Sequence, residues 1–307
     1  MGHVIGEHIA ISKLIKSIRR ATAPTVARFF RQAVQSSAVS STSKIRLWQL
    51  AEKYVSFYGV NAVVSTRDNL KMAVNTSRMV EKQIFFFGEW EPFLTRYLRD
   101  AKNQSGVFLD VGANIGYFSL LAAQNFDRVI AIEASPSVAV RLTENVRRNG
   151  LHNVDIRNIA VGEEFGEADF FLDENQSGGS SLIPGKGRVL EAKVPIGPLD
   201  KILSTDEIGK ISFIKVDIEG FEHIALRQIL ERVDDFHERL EIVLEYGPER
   251  NQGLWEIITA FVPHGFQISL LQGVYDIAEY ADLSARSELA NCHDAPTIFS
   301  DILLRRS

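Results

Sequence analysis

The chain has 307 residues, 45% of them hydrophobic and 24% charged; this ordinary globular composition allows one large α/β domain with an extension, or two small domains. The net charge of −5 offers nucleic acid no electrostatic footprint, so no nucleic-acid partner is expected. A single cysteine, Cys292, excludes an intrachain disulfide and a cysteine-rich zinc site and fits a cytoplasmic protein; no apolar run reaches the roughly 18 residues of a membrane span, and Lys13, Lys16, Arg19 and Arg20 interrupt any signal-peptide block.

Charge is unevenly placed. Residues 1–50 hold eight basic side chains (the four above with Arg28, Arg31, Lys44 and Arg46) and one acid, Glu7, so this segment is +7 and the remainder −12. Ile11, Leu14, Ile15 and Ile18 have helical spacing, Gln35 to Ser43 is Ser-rich and reads as a linker, and Leu47, Leu50, Ala51, Tyr54, Val55 and Tyr58 form an apolar stripe at helical period. The pattern predicts a basic helical extension over 1–60 ahead of a main domain over 61–307. Such an extension caps the main domain or a second subunit of a homo-oligomer. The alternative is peripheral contact with an anionic membrane, disfavoured because the stripe equally suits core packing.

Val60 to Phe87 mixes β-branched and polar residues and reads as short strands. Gly88-Glu89-Trp90-Glu91-Pro92 follows, with Pro92 opening a helix over Phe93 to Arg99; the two acids either cap that helix or lie over a ligand cleft.

From 107 the chain alternates strand and helix, which implies a parallel sheet. Val107, Phe108 and Leu109 run into Asp110, and Val111-Gly112-Ala113-Asn114-Ile115-Gly116-Tyr117 turns into a helix: a buried strand, a tight loop and a helix N-terminus, with the acid at the strand end where open α/β sheets bind ligands. A second strand, Arg128 to Ile132, ends in Glu133, an acid suited to a ribose diol. A dinucleotide site wants G-x-G-x-x-G, but counted from Gly112 its second and third glycines are Asn114 and Tyr117. The pattern suits a ligand without a pyrophosphate, S-adenosylmethionine, whose ammonium and sulfonium favour a nearby acid. Gly112, Asn114 and Gly116 are therefore assigned to its methionine end, where a side chain on Gly112 would fill the space required, and the plain alternative is a βα turn with a helix-packing glycine.

Ser135-Pro136 caps the next helix and Gly150 stops it. Val154 to Val161 reads as the third strand, placing Asn158 and Ala160 by the adenine; Ala168 to Leu172 reads as an added strand, and Asp173 to Arg188, with Gly178-Gly179-Ser180-Ser181, as a lid or a plain surface loop. The second decisive stretch is Ile211 to Glu222: a buried strand carrying Lys215, then Asp217, Glu219, Gly220 and Glu222 within six residues. Unpaired buried charge is costly, so this cluster points to chemistry, with a Lys215–Asp217 ion pair as the structural alternative. Leu240 to Leu244 ends in Glu245; a helix over Trp255 to Phe261 and strands over Gly265 to Leu271 and Thr297 to Arg305 close the chain.

These residues resemble the FkbM family of S-adenosylmethionine-dependent methyltransferases, on Asp110-Val-Gly112-Ala113-Asn114-Ile-Gly116-Tyr117, on Val194 to Leu203 with Leu199-Asp200, and on Lys215-Val-Asp217-Ile-Glu219-Gly220-Phe-Glu222, with Ser180-Ser181 and Gly88-x-x-Glu91 also similar. The resemblance covers about 88 to 305. It implies a class I methyltransferase fold, a Rossmann-like, mostly parallel seven-stranded sheet with helices on both faces and a reversed C-terminal hairpin, and O-methylation of a hydroxyl on a sugar, glycolipid or secondary metabolite. One departure is Gln228, where the family often has glycine. Asp217, Glu219, Glu222 and His223 are the candidate general bases, Asp217 or Glu219 first; Asp110, Gly112, Asn114, Gly116, Glu133, Asn158, Ala160 and Asp217 are the candidate cofactor residues. The alternative role of these carboxylates is to hold Mg²⁺, but no further ligand is identifiable and no metal is assigned. A non-catalytic S-adenosylmethionine-binding module of the same fold is the alternative function.

Overall fold

The computed structural model describes residues 21–100, 104–173, 180–185, 187–247, 253–271, 277–282 and 289–306. Residues 21–35 form helix α1 and lead through a short turn into α2 (Ser41–Tyr58). The Ser-rich stretch is therefore no long linker. The Ser40 hydroxyl accepts from the Ser43 amide and caps α2, which draws the following serines into the first helical turn. The expected helix over 11–18 lies outside the described residues.

A hairpin, β1 (Asn61–Ser65) and β2 (Lys71–Asn75), precedes α3 (Met79–Phe87). The run Ile84 to Phe87, which reads locally as strand, is helical because nearly every residue of α3 is buried: a short helix surrounded by protein has no polar face to betray its period. α4 (Pro92–Asp100) follows as expected. Then come β3 (Gln104–Val111), α5 (Tyr117–Ala122), β4 (Phe126–Ile132), α6 (Pro136–Arg148), β5 (Val154–Arg157), β6 (Ala160–Val161), β7 (Gly166–Asp173) and β8 (Arg188–Gly197). The third sheet strand thus stops at Arg157, and Ala160–Val161 joins a separate three-stranded sheet in the order β6-β8-β7. The rest is α7 (Leu199–Ile202), α8 (Thr205–Ile208), β9 (Ile211–Val216), α9 (Glu222–Glu231), β10 (Glu241–Tyr246), α10 (Leu254–Thr259), β11 (Phe266–Leu271), α11 (Ile277–Ala281), β12 (Leu289–Asn291) and β13 (Ser300–Arg306). Gln228 of α9 accepts from the Leu199 amide and donates to the Gly162 carbonyl, joining α9 to the three-stranded sheet.

The main sheet runs β12-β11-β13-β10-β9-β3-β4-β5. Strands β5, β4, β3, β9 and β10 are parallel, and β13 is antiparallel between β10 and β11. This is the class I methyltransferase order with its reversed C-terminal hairpin, extended by the short edge strand β12. The chain leaves β3 toward β5 on one side and returns to β9 on the other, so the switch point lies at the carboxyl end of β3.

Alternation along the strands builds two cores. Phe108, Phe213, Val243 and Leu303 face α1 to α6, while Leu109, Ile214, Leu244 and Ile302 face α9 and α10. Ala23, Ala27, Val34, Ala51 and Val55 of α1 and α2 are buried in the first core, together with Phe85, Phe86 and Phe108. Helices α1 and α2 are thus part of the main core. No helix among the described residues is long and apolar enough to cross a membrane.

Candidate functional site

The same alternation places chemistry on one face. Asp110 shares its strand face with Phe108, Lys215 with Phe213, Glu245 with Val243 and Asp301 with Leu303, all at one end of adjacent strands β3, β9, β10 and β13. Register pairs Asp110 with Lys215 and Glu245 with Asp301.

Among the described residues, two cavities open at this end. The larger, an open cleft of about 630 Å³, lies over β3 and β4 and is closed on its far side by the three-stranded sheet. Ile132, Ala134, Ile159, Ala160, Phe170 and Leu182 give it apolar walls, with Gly112, Asn114, Glu133, Ser181, Asp217 and Glu219 as its polar rim. Glu133 is 8% exposed, and its two carboxylate oxygens each accept one backbone amide, from Asn114 and from Ser135, both at 2.8 Å. Burial pushes its pKa up to about 7 against the pull of those two donors. Each oxygen keeps a lone pair for a further donor. Asp110, 1% exposed, accepts from Ser119 at 2.5 Å through Oδ2, while its Oδ1 has no hydrogen-bond partner among the described residues. Asp110 thus lies beneath the turn and lines neither cavity; the acceptor pair for a diol and the apolar walls are what fit S-adenosylmethionine.

Not every expected contact is in the cleft. Gly112 does line it, but the requirement for glycine comes from elsewhere: at φ 90°, a Cβ there would stand 1.8 Å from the Asp217 carbonyl oxygen, because the loops after β3 and β9 touch. Asn114 lines the cleft at φ 50°, with its amide on Glu133. Gly116 does not line it; a Cβ there would meet Leu142 at 2.2 Å, so this glycine packs α5 against α6. Ala160 lines the cleft, whereas Asn158 gives its side-chain amide to the Glu133 and Ala134 carbonyls at 2.7 and 3.0 Å and braces the strand end. The lid expectation falls partly on Gly178-Gly179, outside the described residues. Ser180 and Ser181 line the cleft, and Ser181 Oγ donates to the Glu219 carbonyl at 3.0 Å, strapping the three-stranded sheet to the acidic turn.

The acidic turn separates its own members. Glu222, 2% exposed, bends back beneath the turn and accepts from the Gly220 amide with both oxygens and from the Ile218 amide. Gly220 at φ 102° makes that fold-back possible, and Glu222 lines neither cavity. His223 stacks on Phe221, centroids 6.4 Å apart, and also lines neither. Of the four candidate bases, Asp217 and Glu219 face the cleft.

The second cavity, about 230 Å³, lies over β9, β10 and β13 beneath the start of α4. Its polar wall is Glu91, Lys215, Asp217, Glu245 and Asp301, and Asp217 belongs to both cavities. Lys215, 5% exposed, sits 2.8 Å from Asp217 Oδ2 and 5.2 Å from the Phe118 ring centroid. Burial works against its charge, but Asp217, Glu91 and Asp110 outweigh that and hold its pKa above the ordinary lysine value. Burial, then repulsion from Asp301, drives Glu91 well up; burial, then Glu245, pushes Asp301 up to about 7. Asp217, Glu219 and Glu245 each bring one oxygen within 4.8 Å of the others, a hard-ligand set open to Mg²⁺. Of the two acids in the 88–92 segment, Glu91 meets this pocket and Glu89 is buried in an ion pair with Arg67. Sequence reading missed Asp301. The faint signal was an acid just ahead of the apolar run Ile302 to Leu304 in the closing strand.

Residues 110–268 match the methyltransferase FkbM domain. A hexuronic acid methyltransferase, AglP, of Haloferax volcanii is 27% identical over 137 residues, 45% of this chain and 55% of that protein. A tRNA/tmRNA (uracil-C(5))-methyltransferase of Photorhabdus laumondii is 44% identical over 68 residues, 22% of this chain and 18% of that protein. The chain thus spans about half the length, or less, of these curated relatives. The crystal structure of a methyltransferase FkbM from Methylobacillus flagellatus aligns over 92% of this chain and 59% of its own, at 14% identity and a TM-score of 0.40.

Proposed function

Because the chain belongs to the FkbM methyltransferase family and carries an S-adenosylmethionine-dependent methyltransferase domain, we propose that it methylates a hydroxyl of a sugar, glycolipid or secondary metabolite. The observation that carries this reading is the meeting of two cavities at Asp217, one shaped for the donor and the other lined by groups that accept hydrogen bonds from hydroxyls. The similarity to the hexuronic acid methyltransferase of Haloferax volcanii supports a sugar acceptor.

S-adenosylmethionine bound in the cleft supplies a methyl made electrophilic by the sulfonium. Glu133 holds the ribose diol, with its backbone amides fixing the carboxylate in place. The Gly112–Asn114 loop would take the methionine end, with Asp110 buried behind it, and Ile159, Ala160 and Phe170 would flank the adenine. Asp217 would accept the hydrogen bond of the acceptor hydroxyl and, with Glu219 as its neighbour on the cleft wall, would take its proton; Lys215 fixes the carboxylate's position. Mass spectrometry of glycans and lipids from cells with and without the protein tests this. The expected result is a glycan or glycolipid lighter by one CH₂ when the protein is absent, its methyl stable to mild alkali as an ether is. A mass change confined to protein or RNA refutes the sugar reading, and an alkali-labile methyl refutes the hydroxyl.

A further inference from the structure

Resting on that reading of the two cavities, we propose that the acceptor pocket selects a neutral or cationic sugar against a uronate, and that Glu91 and Asp301, both outside the acidic motif, are its specificity residues. Four carboxyl groups line the pocket, from Glu91, Asp217, Glu245 and Asp301; among the described residues the one cation on its wall is Lys215, already held by Asp217 at 2.8 Å. Among the described residues no arginine or histidine lines it. Each carboxyl accepts hydrogen bonds, so this wall recognises O–H and ammonium groups; with Lys215 held by Asp217, acids outnumber the one cation and the wall disfavours an incoming carboxylate.

The fold bears a cost to assemble this wall. Glu245 and Asp301 stand directly opposite on β10 and β13, where like charges are unfavourable. Glu91 is held at φ 40°, and three of the four non-glycine residues with positive φ among those described, Glu91, Asn114 and Glu219, line the two cavities. The two residues are also far apart in the chain, Glu91 just before α4 and Asp301 in β13. They are therefore free to set acceptor preference without altering the donor cleft, whose lining contains neither.

The test uses three probes on the full chain loaded with S-adenosylhomocysteine: methyl glucopyranoside, methyl glucosaminide and methyl glucuronide, with binding read by saturation-transfer NMR, with chelator and with added Mg²⁺. The expected result is binding of the first two and at least roughly a hundredfold weaker binding of the glucuronide. In Glu91→Gln and Asp301→Asn, each nearly isosteric, that discrimination falls by about tenfold or more, while the affinity for S-adenosylhomocysteine and the thermal midpoint hold. Preferred binding of the glucuronide in the wild type, in either metal condition, overturns the proposal and leaves the sugar reading standing. Discrimination unchanged in both folded variants overturns the roles of Glu91 and Asp301. If none of the three glycosides binds, the sugar reading falls and the proposal with it.

Discussion

Replacing Glu133 by glutamine separates cofactor binding from chemistry. The wild-type carboxylate spends one lone pair of each oxygen on a backbone amide and offers the others to the cleft. Glutamine keeps one of those oxygens and turns an NH₂ toward the other backbone amide, so one hydrogen bond to the ribose and one to the loop are lost together. The loop bond is lost from the free and bound protein alike; the ribose bond sets the affinity, and a hydrogen bond to a charged group is worth about 1.5–3 kcal/mol, a roughly 10- to 150-fold rise in Kd for S-adenosylhomocysteine. Turnover at saturating cofactor changes little, because the ribose contact is alike in ground and transition states. The pH dependence carries the same information. Burial holds Glu133 at about 7 from an ordinary 4.5, so below neutrality the carboxyl is protonated and loses acceptor capacity. Wild-type affinity therefore rises as pH approaches about 7 and then levels, while the variant's stays flat. For stability the sign is reversed. Between 4.5 and about 7 the unfolded chain gives up this proton before the folded one does, so Glu133 lowers stability by about 3 kcal/mol as pH rises through that window, and the glutamine variant lacks the slope. Calorimetric titration with S-adenosylhomocysteine on both sides of neutrality is the assay. An unchanged Kd, or the same pH slope in the variant, refutes the reasoning.

Gly112→Ala is expected to cost roughly 2–5 kcal/mol in chemical denaturation and to abolish S-adenosylhomocysteine binding, since its Cβ cannot coexist with the Asp217 carbonyl at 1.8 Å. Asp217→Asn and Glu219→Gln are each expected to cut turnover by roughly 10²–10⁴ with cofactor affinity intact. If chelator silences the wild type and Mg²⁺ restores it, the carboxylates hold a metal instead. Arg141→Met is expected to cost about 3–5 kcal/mol in chemical denaturation, because Arg141 meets the buried Glu81 with two hydrogen bonds, 2.7 and 2.6 Å, and its removal leaves that acid with Arg78 alone at 3.5 Å as an ion partner.

The parallel core of the sheet was legible because each buried strand is a continuous apolar run ending in an acid and a turn. Asp110, Glu133, Asp217 and Glu245 announce themselves that way. What the sequence concealed depends on three dimensions. Glu222 and His223 follow Asp217 closely in the chain, yet the Gly220 turn folds the one beneath the loop and sends the other away from both cavities. Gly116 and Gly112 look alike in the motif, but one faces Leu142 and the other Asp217. Asp301 becomes part of the site only when β13 inserts between β10 and β11, a pairing that no local pattern records. Helix α3 is hidden by its own burial, and α1 and α2, which read as an appendage, supply part of the core against which the acidic face of the sheet is held.

The central claim is that the donor cleft and the acceptor pocket meet at Asp217 and that the methyl passes there. A crystal structure of the chain with S-adenosylhomocysteine tests it most directly. The account predicts the ribose diol on Glu133 and the sulfur turned past Asp217 toward the pocket of Glu91, Lys215 and Asp301. A ligand bound elsewhere, or one whose sulfur faces away from that pocket, contradicts it.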